Sequence, residues 1–178
     1  AEAIATQRVG GQIESVSWNT ADGFGAALNA FIGQNYGAGK MDRVKKGYRA
    51  SLITVGVWGL FITLLFVCFP EQISGVFFHE PTAIATAVGY MIIIGYSEAF
   101  MSVELMTVGA LSGLGKTHLC SVISITLTSA RIPLAIFLSG TALGLLGIWW
   151  ALTATSVVKG IVFVMAFYWI TARMRNSK

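Results

Sequence analysis

Six ionisable side chains stand inside long apolar runs: Glu14, Asp22, Glu98, Glu104, Arg131 and Lys159. A charge at the centre of a bilayer costs at least about 2.5 kcal/mol even on the lenient insertion scale, so such groups pair with one another or border a solvated cavity. At about 1.5 Å of rise per residue, Asp22, Glu98, Glu104, Arg131 and Lys159 all lie about 15 to 24 Å from the basic ends of their runs, near the middle of a hydrocarbon core about 30 Å thick. Glu14 lies closer to the opposite mouth. Three acids against two bases leave at least one carboxylate over, a natural binder of a proton, a sodium ion or a cationic ligand. Glu98 and Glu104 are six residues apart, about 240° around a helix, and face different neighbours. One is expected to pair with Lys159 or Arg131 and the other to face the cavity, with Glu104 the better candidate for a functional role. The rival reading makes both glutamates fixed ion-pair partners that hold the bundle together.

The elements that must position these groups follow from composition. The chain of 178 residues is 55% hydrophobic and 11% charged, with a mean hydropathy of +0.72. A soluble domain carries about 25% charged residues, so this chain reads as an all-α integral membrane protein. Five stretches have the length and apolarity of a span: about 4–33, 44–69, 82–114, 118–139 and 143–172. The segment "EQISGVFFHEP" between the second and third is short and amphipathic, placing Phe77 and Phe78 at the interface. Short connections make neighbouring helices antiparallel. Lys40, Arg43, Lys45, Lys46 and Arg49, then Lys116 and His118, then Arg173, Arg175 and Lys178 fall on one side. The positive-inside rule places that side and the C-terminus in the cytoplasm, for a multi-pass protein of the inner (plasma) membrane.

The first helix is the most polar. Gln7, Gly11, Ser15, Trp18, Asp22, Gly25 and Asn29 fall with Glu14 within roughly 100° of arc, and Val9, Ile13, Val16, Phe24, Ala27 and Phe31 lie opposite. Small residues alone would indicate helix packing. Two carboxylates indicate a water-filled cavity or ion path beside this helix.

Other chemistries find no support. "GQNYGAGK" ends in lysine as a phosphate-binding loop does, but Met41 follows where serine or threonine is required. The sequence has no HExxH, no Cys/His ligand cluster and no GxSxG, so neither an enzyme nor a metal site is expected. His79 and His118 fall near helix ends. The formal charge of +4 comes from loop anchors and does not point to nucleic acid. Cys68 and Cys120 fall near opposite membrane surfaces, which argues against pairing and for ordinary small core residues. The opening "AEAIATQRVGGQIE" has neither an initiator methionine nor a signal-peptide pattern, and reads as the start of a piece of something longer.

"GQNYGAGKMDRVKKGYR" resembles the glycine-rich loop and basic helix start of MATE transporters, the multidrug and toxic compound extrusion family, with Gly33, Gln34, Asn35, Gly37 and Gly39 in the motif. "GALSGLGKT" is similar to the family's GxLRGxGxT ending, with Ser112 where arginine is common; "RIPLA" and "GLLGIWWA" resemble its last two helices. The resemblance implies most of one six-helix lobe of a twelve-helix transporter, lacking that lobe's first helix and the N-terminal lobe, with which this chain would pair. It further implies alternating-access antiport of an amphipathic, often cationic, drug or metabolite against sodium or protons, without another cofactor, in a lipid bilayer. Glu104, Glu98 and Asp22 are then the cation-coupling candidates, Glu14, Trp18, Asp22 and Asn29 line the substrate path, and Arg131 and Lys159 are charge partners. Met101 stands where several members carry a carboxylate, and the acid that others carry on the seventh helix falls outside this chain. A lipid-linked oligosaccharide flippase of the same superfamily, or a membrane scaffold subunit, are the alternatives. The flippase would be expected to show more cavity arginine.

Overall fold

In the computed structural model the described residues form six helices: α1 (Glu2–Gly37), α2 (Met41–Cys68), α3 (Pro70–Phe77), α4 (Pro81–Gly113), α5 (Thr117–Ser139) and α6 (Leu145–Asn176). The structure describes residues 2–176, with side chains from Gln7 to Met174. Of the basic tail, the side chain of Arg175 and all of Lys178 lie outside that description. Four helices, α2, α4, α5 and α6, are long and apolar enough to cross a membrane. The expected first span, α1, has the length, at 36 residues, but not the composition. Its stripe of amides, hydroxyls and carboxylates lowers its hydropathy.

Two helix ends account for the glycine-rich motifs. The Lys40 N–H donates to the Asn35 carbonyl (2.8 Å) and the Gly39 N–H to the Tyr36 carbonyl (2.9 Å), with Gly39 at φ 72. The Lys116 N–H donates to Leu111 and the Gly115 N–H to Ser112, both at 2.9 Å, with Gly115 at φ 71. Both are Schellman caps, whose left-handed position favours glycine. "GQNYGAGK" is therefore mostly helix, and α1 runs four residues past its expected end at 33 because Gly33, Gln34, Asn35 and Gly37 stay in the helical ladder. The Asn35 side chain donates to the Phe31 carbonyl (2.8 Å).

The central helix is α4, which touches all five others. It crosses α1 on glycine: a Cβ on Gly109 would collide with the Gly25 backbone, and one on Gly113 would stand 2.6 Å from the Asn29 carbonyl oxygen. Because the two backbones meet there, Gly109→Val must push α1 and α4 apart. We expect a loss of about 3 kcal/mol or more, at or beyond the usual cost of overpacking a core, read as a lowered Tm of the detergent-solubilised protein; an unchanged Tm would rule out this crossing. On the other side α4 packs on α2 and α6, where Tyr48 stacks on Phe167 at 3.6 Å and shares a 3.0 Å hydrogen bond with Thr107. Helix α5 lies at the edge, mainly against α6, with Cys120 its one fully buried residue. Cys68 is exposed and so is not the core residue the sequence suggested: it ends α2, where the chain turns into α3. Phe77 is half exposed on α3, as an interfacial side chain would be, while Phe78 is partly covered.

Candidate functional site

The packed face of α1 is Gly10, Glu14, Ser17, Ala21, Gly25, Leu28 and Ile32, roughly a fifth of a turn from the centre of the polar stripe. The stripe thus runs along the edge of the α1–α4 contact. Two adjoining cavities lie on that edge. The larger, about 360 Å³, is lined from α1 by Trp18, Asn19 and Asp22, from α4 by Met101, Glu104 and Leu105, from α5 by Arg131, and from α6 by Ser156 and Lys159. The smaller, about 230 Å³, includes Gln7, Glu14, Tyr90 and Ser97 and shares Trp18, Met101, Arg131 and Ser156 with the first. Asp22, Glu104, Arg131 and Lys159, expected at one depth from four helices, therefore meet in one space.

The charges are distributed unequally. Lys159 Nζ is 2.6 Å from Glu104 Oε1, with both side chains about nine-tenths buried. This is the pairing the six-residue offset allowed, and it removes Glu104 from the position of spare carboxylate. Glu14 is 3% exposed and accepts a 2.5 Å hydrogen bond from the Tyr90 hydroxyl. Arg131 Nε donates to Thr155 Oγ1 at 2.9 Å and Nη2 to Ser156 Oγ at 3.2 Å.

Glu98 is different. It is 0% exposed, and neither carboxylate oxygen has a hydrogen-bond partner. Ser17 and Trp18 of α1 stand beside it, and Ser102 is one turn along α4. Their side-chain polar atoms are also buried and unpartnered. Buried polar groups in a folded protein are nearly always satisfied, and an orphaned carboxylate is among the costliest exceptions. Ser17 and Trp18 are the nearest donors to Glu98 but stop short of hydrogen-bond geometry, so this acid is held neither by an ion pair nor by a well-formed hydrogen bond among the described residues. Hydroxyl and carboxylate oxygens are the donors a hard cation takes.

Of the residues expected on the substrate path, Trp18 and Asp22 line the larger cavity and Glu14 the smaller. Asn29 lines neither; its side chain is exposed and its carbonyl oxygen abuts Gly113. Gly33 also belongs to that crossing, 3.6 Å from the Gly113 carbonyl oxygen by its would-be Cβ. Sequence reasoning missed Tyr90, Ser17, Ser102, Thr155 and Ser156. The pair Thr155–Ser156, one turn before Lys159, was a readable polar interruption of α6. Tyr90 carried no such signal, because its role depends on which α1 residue faces it.

Comparison with known proteins follows this geometry. The MatE family matches residues 1–137. Two curated relatives, both named probable multidrug resistance protein NorM, are 28% identical over 94% of this chain in Thermotoga maritima and 29% identical over 97% in Pseudomonas aeruginosa. The chain spans 36% and 37% of their lengths. Among solved structures, an inward-facing multidrug resistance MATE family transporter of the MOP superfamily superposes with a TM-score of 0.89 over 98% of this chain and 41% of that one, at 17% identity. A MATE protein in a bent conformation gives 0.91 over 99% of this chain and 39% of that one, at 16% identity. At such identities the superpositions establish the fold, and with the family match spanning most of the residues, the chain belongs to the MATE family of multidrug efflux transporters.

Proposed function

We propose that this chain supplies most of the C-terminal lobe of a cation-coupled antiporter, which exports amphipathic, often cationic, compounds by alternating access. The supporting observation is Glu98, a wholly buried carboxylate among orphaned hydroxyl and indole groups. In this reading an inward-moving sodium ion or proton occupies Glu98, and its arrival and departure shift the balance between lobe packings. The coupling role moves from Glu104, which Lys159 neutralises, to Glu98. Asp22 and Trp18 stay on the substrate side, in the larger cavity. The bundle end where Lys116 and Arg173 border a common cleft faces the cytoplasm, in line with the basic residues that begin α2.

The test is ethidium efflux from cells expressing the full-length transporter, with sodium present or replaced at fixed external pH. Efflux that requires sodium makes sodium the coupling ion, and efflux that follows only the pH gradient makes it the proton. Absence of efflux under both conditions overturns the exporter reading.

A further inference from the structure

At the basic end of the bundle, α5 and α6 border a cleft of about 420 Å³, lined by Lys116 and Leu119 on one side and by Trp169, Ile170, Arg173 and Met174 on the other. Two cations thus share a space with apolar and aromatic surface. The helix ends and loops that meet here, residues 33–49, 112–121 and 170–178, carry one acid, Asp42, against nine lysines and arginines. Neither Lys116 nor Arg173 has an acidic partner within 4.0 Å among the described residues. The Arg173 guanidinium carbon stands 5.4 Å from the centroid of the Trp169 ring. A ring face holds a guanidinium in place without neutralising it, and leaves its in-plane N–H donors for an anion. Trp169 is 61% exposed, and it continues a stripe of Ile161 and Met165 that are 45% and 58% exposed. The stripe lies about 80 to 160° around α6 from Lys159, which borders the charged cavity. It is therefore turned away from the polar side and toward hydrocarbon. A lipid-facing stripe that ends in tryptophan, with arginine one turn further, marks the level where hydrocarbon gives way to headgroups.

We propose that this cleft binds an anionic glycerophospholipid of the adjoining leaflet, which is the cytoplasmic one in the orientation given above. Lys116 and Arg173 hold its phosphate, and an acyl chain runs along Trp169 toward Met165. Basic pockets between membrane helices are suited to phosphate headgroups, and a guanidinium matches phosphate oxygens with paired donors. The apolar part of the lining selects a lipid over a soluble phosphate ester, because Leu119, Trp169 and Met174 offer such an ester nothing to bury. The two cations select an anionic lipid over a zwitterionic one, whose own ammonium already accompanies the phosphate. A lipid held in this way ties the start of α5 to the end of α6, the pair that forms the edge of the bundle. The inference rests on the membrane setting of the helices and is independent of the export reading.

The experiment is fluorine NMR on the full-length transporter labelled with fluorotryptophan, in nanodiscs of phosphatidylcholine with rising phosphatidylglycerol. The Trp169 resonance is assigned as the one lost in Trp169→Phe. It should shift and saturate as phosphatidylglycerol replaces phosphatidylcholine. Lys116→Gln leaves the contact between Arg173 and Trp169 in place, and should raise the half-saturating fraction by about fivefold, the effect of one cation near an anionic lipid. Lys116→Arg should restore it. Lys46→Gln, which removes the same charge from the basic start of α2, should leave the Trp169 titration nearly unchanged. No shift with phosphatidylglycerol overturns the proposal, as would occur if the rest of the transporter covers the cleft. Equal effects of Lys116→Gln and Lys46→Gln would reduce the binding to a diffuse surface field and also overturn it. A saturating shift with soluble glycerophosphoglycerol in pure phosphatidylcholine would make the cleft a site for free phosphate esters and overturn the lipid assignment. Because the resonance reports binding without transport, a protein that exports no dye but passes these tests refutes the export reading alone.

Discussion

Replacing Glu98 by glutamine in the full-length transporter is expected to reduce cation-driven efflux to the level of cells lacking the protein, while expression and Tm stay the same or improve. The asymmetry follows from its surroundings. Glu98 is fully buried with no partner for either oxygen, and an ionised carboxylate in such a place costs several kcal/mol unless a cation accompanies it. A neutral amide of the same shape removes that cost and can donate to or accept from Ser17 or Ser102. It cannot take up and release a proton, and it binds a sodium ion far more weakly. Stability should therefore be kept and coupling lost. Normal sodium or pH dependence in Glu98→Gln would exclude Glu98 as the coupling site. Lost activity accompanied by misfolding would assign it a structural role.

The opposite behaviour is expected at the ion pair. Lys159→Ala leaves the Glu104 carboxylate without its 2.6 Å partner in a nearly dry setting, and breaking a buried pair from one side typically costs about 3 to 5 kcal/mol. The variant should express poorly and unfold at a markedly lower temperature. Glu104→Gln should do the same from the other side, stranding the ammonium. The double variant Glu104→Leu with Lys159→Met removes both charges and should recover most of the lost stability, since replacing a whole buried pair by apolar groups is often neutral or better. Thermal unfolding in one detergent of the unaltered protein, Glu104→Leu, Lys159→Met and the double variant forms a double-mutant cycle. A coupling energy near zero would mean that the pair is solvated and of little structural consequence. Recovery of stability without recovery of efflux would give Glu104 a transport role beyond the pair.

Sequence reading and structure divide in physically intelligible places. Helix existence and the common level of Asp22, Glu104, Arg131 and Lys159 were legible. Apolar length sets a span, loop charge sets its direction, and a rise per residue sets depth, and each of these is a property of one helix. Helix ends were less legible: Gly33 and Gly37 look like turn residues in the sequence, yet both stay in α1, which ends at the left-handed Gly39.

What the sequence alone determined, then, is a polar-striped helical membrane protein with acids in excess of bases at one level of its helices. Only the tertiary structure decided which acid of α4 is paired. Glu98 and Glu104 differ by six positions on one helix, and nothing in that spacing says which faces Lys159 and which faces Ser17 and Trp18. The choice is made by the rotation of α4 about its axis, set by the glycine contacts with α1 on one side and by packing on α2 and α6 on the other. Arg131 depends on the same rule, since what holds its half-buried guanidinium is fixed by which side chains of α6 come within hydrogen-bonding reach.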